Sequence, residues 1–434
     1  MMDEELIAFL WEHRLFNAKT LVTAEGKTLL IKHPGFRNAD SGPDFHMSRL
    51  LVDQTELVGQ VELHVFSSDW FRHGHQHDRA YQGVILHVVW KNDSQIPELI
   101  DAGIPTLELE NCIEKSELEL CLELMQSMAS IPCAAEPAQD IIIRRQWLDR
   151  MIIDRLEDKA RSIQQMALRC NGDWQDVLYR CLAKAYGQKV NALPAEQLAE
   201  SLPYRLLARH RGNENKLEAF IFGQAGFLTE KHQDLYPKIL AQEYWVQAKA
   251  YAMKSIDVIQ WKFLRMHPSG FPTLRLAQFA SMLKHIHPLT DIVTSGMRAD
   301  EMLAIFTVEP HPYWSTHYRF DKEVKTYSAR MGIASARMIV INAVVPFLYA
   351  YGKARQDDYM MEQAMDLLEQ IPAEENKIMR LWNSHDCGAE NAADSQALLH
   401  CFNKFCTAKK CLTCTLGRQR LTSSIHGFKN SGVF

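Results

Sequence analysis

Between residues 42 and 78 the chain gathers side chains able to hold a divalent metal. Asp44 stands in Gly-Pro-Asp, Glu62 and His64 in Glu-Leu-His, and His73, His75, His77 and Asp78 follow in one run. Two carboxylates side by side supply hard oxygen ligands to Mg²⁺ or Mn²⁺, which keep several waters. The metal lowers the pKa of a bound water and neutralises charge on a phosphate. A histidine, titrating near the working pH, can orient that water or take its proton. On this reading Asp44 and Glu62 bind the metal, His64 acts on the water, and His73 or His75 contacts the phosphate. The histidine run permits a second reading, a zinc hydrolase centred on His73–Asp78, because imidazole is a good zinc ligand. His87, within "VILHVVW", reads as a core histidine. The plain alternative to all of this is a turn aspartate and a solvated strand edge.

A second set lies near the other end. Cys401, Cys406, Cys411 and Cys414 are spaced C-x4-C-x4-C-x2-C. Two residues between Cys411 and Cys414 let both thiolates face one ion, as in zinc knuckles and iron–sulfur sites. A [4Fe–4S] cluster or Zn²⁺ is expected there, with Cys387 able to replace Cys401. The other cysteines, Cys112, Cys121, Cys133, Cys170 and Cys181 among them, are scattered singly and read as reduced, buried thiols. From Ser395 onward there is no Asp or Glu, against Lys404, Lys409, Lys410, Arg418 and Arg420. This basic segment is a candidate nucleic-acid contact, or a solvated cationic end.

The elements that must position these groups differ along the chain. The first 110 residues read as mixed α/β. An amphipathic helix over 4–15 is followed by strands at 28–35, 48–53, 56–66 and 84–90. Alternation in the third strand puts Glu62 and His64 on one face, about 6–7 Å apart at ~3.3 Å per residue. A glutamate on an otherwise apolar strand is expensive unless solvated, paired or ligating a metal. Around 127–140 the sequence is small, polar and proline-containing, a linker candidate. Beyond it the period switches to 3.6, with helices expected through 174–187, 193–210, 215–228, 237–260, 272–287, 330–352 and 358–370 and the least regular stretch over 288–325. The predicted division is 1–130, an α/β or α+β domain with a helix and a mixed four-strand sheet, and 140–434, a mainly helical domain carrying the cysteine set 401–414.

Composition narrows the class. The chain has 434 residues, enough for about two or three domains. At 47% hydrophobic and 23% charged it is of ordinary globular make-up, and its formal charge of −5 gives no global pull on nucleic acid or lipid. The acidic start "MMDEELIAFLWEH" argues against a signal peptide, and the longest apolar run, 338–351, falls short of the roughly 20 residues a membrane span needs. A cytoplasmic protein without a membrane partner is expected. No Walker A, Rossmann glycine set or Gly-x-Ser-x-Gly elbow is present, which disfavours nucleotide hydrolysis, dehydrogenase and esterase chemistry.

Helix, three strands, a connection and a fourth strand, with Pro43-Asp44 and Glu62-Leu63-His64, resembles the PD-(D/E)xK nuclease superfamily. "DWFRHGH" at 69–75 is similar to a stretch of its very-short-patch-repair endonucleases. The resemblance implies a restriction-endonuclease-like fold and a Mg²⁺- or Mn²⁺-dependent nuclease acting on DNA or RNA. It also implies a helix-borne glutamate, Glu5, completing the metal shell. Histidine stands at 64 where that superfamily carries lysine. Without activity, such a fold would be a nucleic-acid- or protein-binding scaffold. Over its full length the chain also resembles a bacterial family defined as a domain of unknown function, through "NADSGPDF", "VELHVFSSDW", "DRAYQGVILHVVW", "FPTLRLAQ", "NKIMRLW" and "KKCLTC".

Overall fold

Apolar alternation over 56–66 and the nearly continuous apolar run 84–90 predict strands, and the computed structural model forms them. It describes residues 2–17, 21–38, 42–75, 78–113, 115–133 and 141–421. These fall into two units. The first runs through Trp147 and also takes in His385–Cys387 and the described residues from His400 on. The second comprises Leu148–Ser384 and Gly388–Leu399.

In the first unit, helix α1 (Glu4–His13) starts where the Asp3 side chain accepts from the Leu6 amide at 2.9 Å. Six consecutive residues, Leu6–Trp11, are buried, so α1 is embedded all round rather than on one face. Strands β1 (Leu21–Val22), β2 (Thr28–His33), β3 (Phe36–Arg37), β4 (Phe45–Val52), β5 (Thr55–Phe66), β6 (Val84–Lys91) and β7 (Thr106–Glu108) make one mixed sheet. Its order is β1-β2-β4-β5-β6-β7, with β3 on the start of β4. β4 runs antiparallel to both β2 and β5, whereas β6 runs parallel to β5 and β7 parallel to β6. The short helix α2 (Asp69–Arg72) and a 3₁₀ turn at Arg79–Gly83 lie in the β5–β6 connection. Helices α3 (Pro97–Asp101) and α4 (Lys115–Gln126) follow β6 and β7. Ile7, Ala8 and Trp11 of α1 share one apolar core with Val61, Leu63, Leu86, Val88 and Leu107. Trp70, Val84, Ile96 and Leu99 form a smaller one.

The β4–β5 ladder contains a one-residue bulge. Ser48 pairs with Gly59, but Phe45 pairs with Val61, and Met47 between them has φ 55°. The bulge keeps Phe45 in the core opposite Val61. The same register brings Asp44 beside Glu62 instead of Leu63.

The second unit is helical. The expected helix 193–210 is two, Gln188–Ser201 and Tyr204–His210, parted at Pro203, whose fixed φ and missing N–H favour a helix start. The apolar run 338–351 lies in a continuous helix, Ile333–Arg355, longer than the run alone suggested. Its 23 residues are long and apolar enough to cross a membrane, but 67% of the apolar window is buried in the protein. A π-turn at Val340–Val344 precedes Pro346, where the helix must accommodate a missing amide donor. The irregular stretch after 288 supplies short helices Asp291–Thr294 and Ala299–Phe306 and a two-stranded ribbon, His317–Arg319 with Lys322–Glu323. At the ribbon turn, Asp321 accepts hydrogen bonds from His232 Nδ1 and the amides of Gln233 and Asp234, each at 2.8 Å. Tyr313 donates its hydroxyl to Asp234 at 2.7 Å and stacks on His317 at 3.9 Å.

Candidate functional site

Strand alternation in β5 turns Val61 and Leu63 into the main core and leaves Glu62 and His64 on the opposite face. That face is also buried there: Glu62 is 5% exposed and His64 fully enclosed. The two carboxylates interlock through the backbone. Asp44 Oδ2 accepts from the Leu63 amide at 2.9 Å, and Glu62 Oε2 accepts from the Asp44 amide at 3.2 Å. This leaves Glu62 Oε1 directed at histidines, 3.1 Å from His75 Nε2 and 3.6 Å from His64 Nε2, while the two imidazole nitrogens are 3.2 Å apart. His73 closes the group, since one ring nitrogen from each of His64, His73 and His75 can lie within 4.8 Å of the others.

The surroundings fix these rings. Tyr81 stacks on His75 at 3.8 Å, and the Trp70 indole meets the His75 and His87 rings at 5.3 and 5.4 Å. Behind His64, its Nδ1 lies 2.9 Å from His87 Nε2. If His64 presents Nε2 as a ligand, its proton sits on Nδ1 and is donated to His87, which fixes the ring as second partners of metal-bound histidines do.

Burial and crowding hold the charges in an unusual state. Burial, then the neighbouring Asp44 charge, push Glu62 up to about 9. Burial raises Asp44 as well, against the Leu63 amide, which lowers it. Burial, then His87 and His75, pull His64 down to about 2. Burial and His73 bring His75 to about 4, and burial and His75 bring His87 to about 3. The imidazoles are therefore neutral, with lone pairs to offer, beside a carboxylate that lacks a cation. A divalent metal between them would relieve both conditions.

Asp44, Glu62, His64, His73 and His75 thus come together. Glu5 pairs with Arg37 at 3.2 Å and its charge acts on Asp44, while the charge of its neighbour Glu4 acts on Glu62. Asp78 caps the 3₁₀ turn through the Ala80 amide at 2.9 Å, and His77 lies outside the described residues. Sequence reasoning passed over Glu4, Trp70 and Tyr81 and assigned His87 to the core. The parallel register pairing Glu62 with His87 was the missing signal.

The cysteine segment folds with the sheet unit rather than with the helices, contrary to the division at 140. Cys401, Cys406, Cys411 and Cys414 are buried, and Cys133, taken from sequence as a solitary thiol, lies among them. Much of the basic segment serves this docking. Arg418 pairs with Glu12 at 2.7 Å and bonds His13, Arg420 donates to the Pro132 carbonyl at 2.8 Å, and Lys409 to the Ala129 carbonyl at 2.6 Å. Lys404 lies 6.0 Å over the Phe405 ring, and Lys410 is exposed.

The chain belongs to the family described as protein of unknown function (DUF2851), whose model matches residues 4–377. The match spans the whole histidine–carboxylate group and ends before Cys401. No curated protein and no solved structure matches the chain.

Proposed function

We propose that this DUF2851 protein is a metal-dependent hydrolase of phosphodiester bonds in DNA or RNA, working at Asp44, Glu62, His64, His73 and His75. One observation carries the reading. Glu62 Oε1, His64 Nε2 and His75 Nε2 are separated by 3.1, 3.2 and 3.6 Å. Ligands about 2.1 Å from a tetrahedral ion lie about 3.4 Å from one another, so these three atoms are spaced to share one. Two imidazoles and a carboxylate suit Mn²⁺ or Zn²⁺ better than Mg²⁺, whose preference is for oxygen. The zinc reading of the histidine run and the carboxylate reading of Asp44 and Glu62 therefore merge into one site.

The element order supports a nuclease-like reading. Helix α1, the antiparallel set β2-β4-β5 and the parallel strand β6 follow the order the PD-(D/E)xK resemblance implies, with Asp44 and Glu62 at adjacent positions. A bound metal would supply a water of lowered pKa and charge neutralisation at the phosphate. Asp44, fixed by the Leu63 amide, would orient the attacking water. His73, the exposed member, would meet the phosphate. His87 and Tyr81 hold His64 and His75 in place.

The test incubates the full chain with single- and double-stranded DNA and RNA in the presence of Mn²⁺, Zn²⁺ or Mg²⁺, alongside Glu62→Ala and His64→Ala. Cleavage that needs Mn²⁺ or Zn²⁺ and vanishes in both variants is expected. Nucleic-acid binding that is equal in wild type and Glu62→Ala, with no cleavage under any metal, would favour a scaffold instead.

A further inference from the structure

Single buried cysteines need no explanation, since a free thiol behaves as a small apolar group. Cys121 occurs in that way, and Cys112, Cys170 and Cys181 are single and half-buried. Five others are grouped. Cys401, Cys406, Cys411 and Cys414 are 1–5% exposed, Cys133 is 9% exposed, and all are free thiols. They come from segments more than 260 residues apart in sequence, counting from 133 to 401.

Specific contacts hold the two segments together. Lys409 and Arg420 reach across to the carbonyls of Ala129 and Pro132, at 2.6 and 2.8 Å, on the residues leading into Cys133. Gly417 lets the following chain turn back over the loop, because a Cβ there would collide with the Cys411 carbonyl. The thiols then neighbour one another. Cys133 has Cys406, Cys411 and Cys414 as electrostatic neighbours, and Cys411 has Cys406 and Cys414. Cys401 hydrogen-bonds within this group, to Cys406 and to Cys414, its Sγ 4.0 Å from that of Cys414.

We propose that Cys133, Cys406, Cys411 and Cys414 hold a thiolate-bound metal centre in the sheet unit, with Cys401 donating its S–H to the set. The chemistry is that of a thiophilic metal, either zinc or an iron–sulfur cluster. Each ligand thiol loses its proton when the metal binds, so assembly releases protons and ties residue 133 to the C-terminal segment. The centre is separate from the histidine–carboxylate site and does not depend on its activity.

Full-length protein purified without oxygen would be assayed for zinc, iron and acid-labile sulfide, and its cobalt form for thiolate-to-Co²⁺ charge-transfer absorption. Counted in a Glu62→Ala background, which removes the ion of the proposed histidine–carboxylate site, the expected content is either about one zinc or about four irons with sulfide per chain. It should persist when Cys170→Ser or Cys401→Ser is added and fall at least tenfold with Cys133→Ser or Cys411→Ser. Wild-type protein that takes up neither metal and shows no thiolate band would overturn the proposal, even if the variants fail to fold. So would a Cys401–Cys414 disulfide in the native protein, or full metal content in Cys133→Ser.

Discussion

Two clusters in this chain use the same side chains to opposite ends. In the helical unit, Asp321 sits among His232, Asp234 and Tyr313. In the sheet unit, Glu62 sits among His64, His75 and Tyr81. Burial pushes Asp321 up, but the Asp234 amide, His232 and the Gln233 amide outweigh it and hold the carboxyl below its usual range. Glu62 has one amide donor, a second carboxylate at its side and imidazoles stripped of their protons, and it is driven up to about 9. The first cluster is complete as it stands: every charge has its donor, and it closes a loop. The second is frustrated by its own neighbours, and a cation is what both of its halves lack. Residue types therefore do not separate a closed structural network from the proposed metal site; the balance of donors does.

Four substitutions or titrations would break or sharpen that contrast. The largest effect is expected from His64→Ala, which removes a ligand, empties the site and lowers metal affinity by more than about 100-fold by isothermal calorimetry. Asp321→Ala should leave metal affinity unchanged while removing about 2 kcal/mol of stability, because two amides and a histidine lose a charged acceptor. Equal effects of both variants on both measurements would erase the distinction. His87→Leu, one shell further out, should keep the fold and weaken metal binding about tenfold, by freeing the His64 ring.

The last test is of pH. Glu62 titrates higher in the folded protein than in the unfolded chain, so its contribution to stability is present in acid and is lost as pH rises towards about 9. His64, His75 and His87 titrate lower when folded, so theirs is present above about 6.5 and is lost as pH falls. Glu62→Gln should accordingly raise the melting temperature of metal-free protein at pH 9 and change it little at pH 5. Metal affinity of the wild type should rise with pH between 6 and 9, with release of about one proton per ion, since the imidazoles are already neutral. A pH-independent affinity would refute this picture of the site.

Much of this was legible in the sequence for physical reasons. Apolar strand-like runs, alternating in β5 and nearly continuous in β6, marked β2, β4, β5 and β6, and the 3.6 period marked most of the helices, because these patterns follow directly from backbone geometry. The pairing of Glu62 with His64 on one face needed only that alternation. What could not be read was anything set by long-range pairing. His87 looks like core until the parallel register places it behind His64. Glu4 and Glu5 are equivalent in a linear pattern and differ only once α1 has a fixed rotation against the sheet. Cys133 sits alone in sequence, and the three-residue strand β7 carries too few positions for a period to emerge. The basic segment misled in the opposite direction, because clustering along the chain says nothing about whether Arg418 and Arg420 are occupied by carbonyls and carboxylates of the same unit.

The bulge at Met47 makes Asp44 sensitive to counting rather than to chemistry. Side chains alternate across a strand, so three steps from Phe45 to Ser48 would put the two on opposite faces; the bulge takes up the odd step and keeps both on one face. Straightening the strand without shortening it would set Phe45 against Glu62 and turn the Asp44 carboxylate towards the apolar layer. Deleting Met47 removes the surplus residue instead, leaving a regular ladder with Phe45 still opposite Val61 and Asp44 still beside Glu62. Length in 45–48 is the property to watch when the chain is redesigned, because a shortening there is absorbed and a straightening is not.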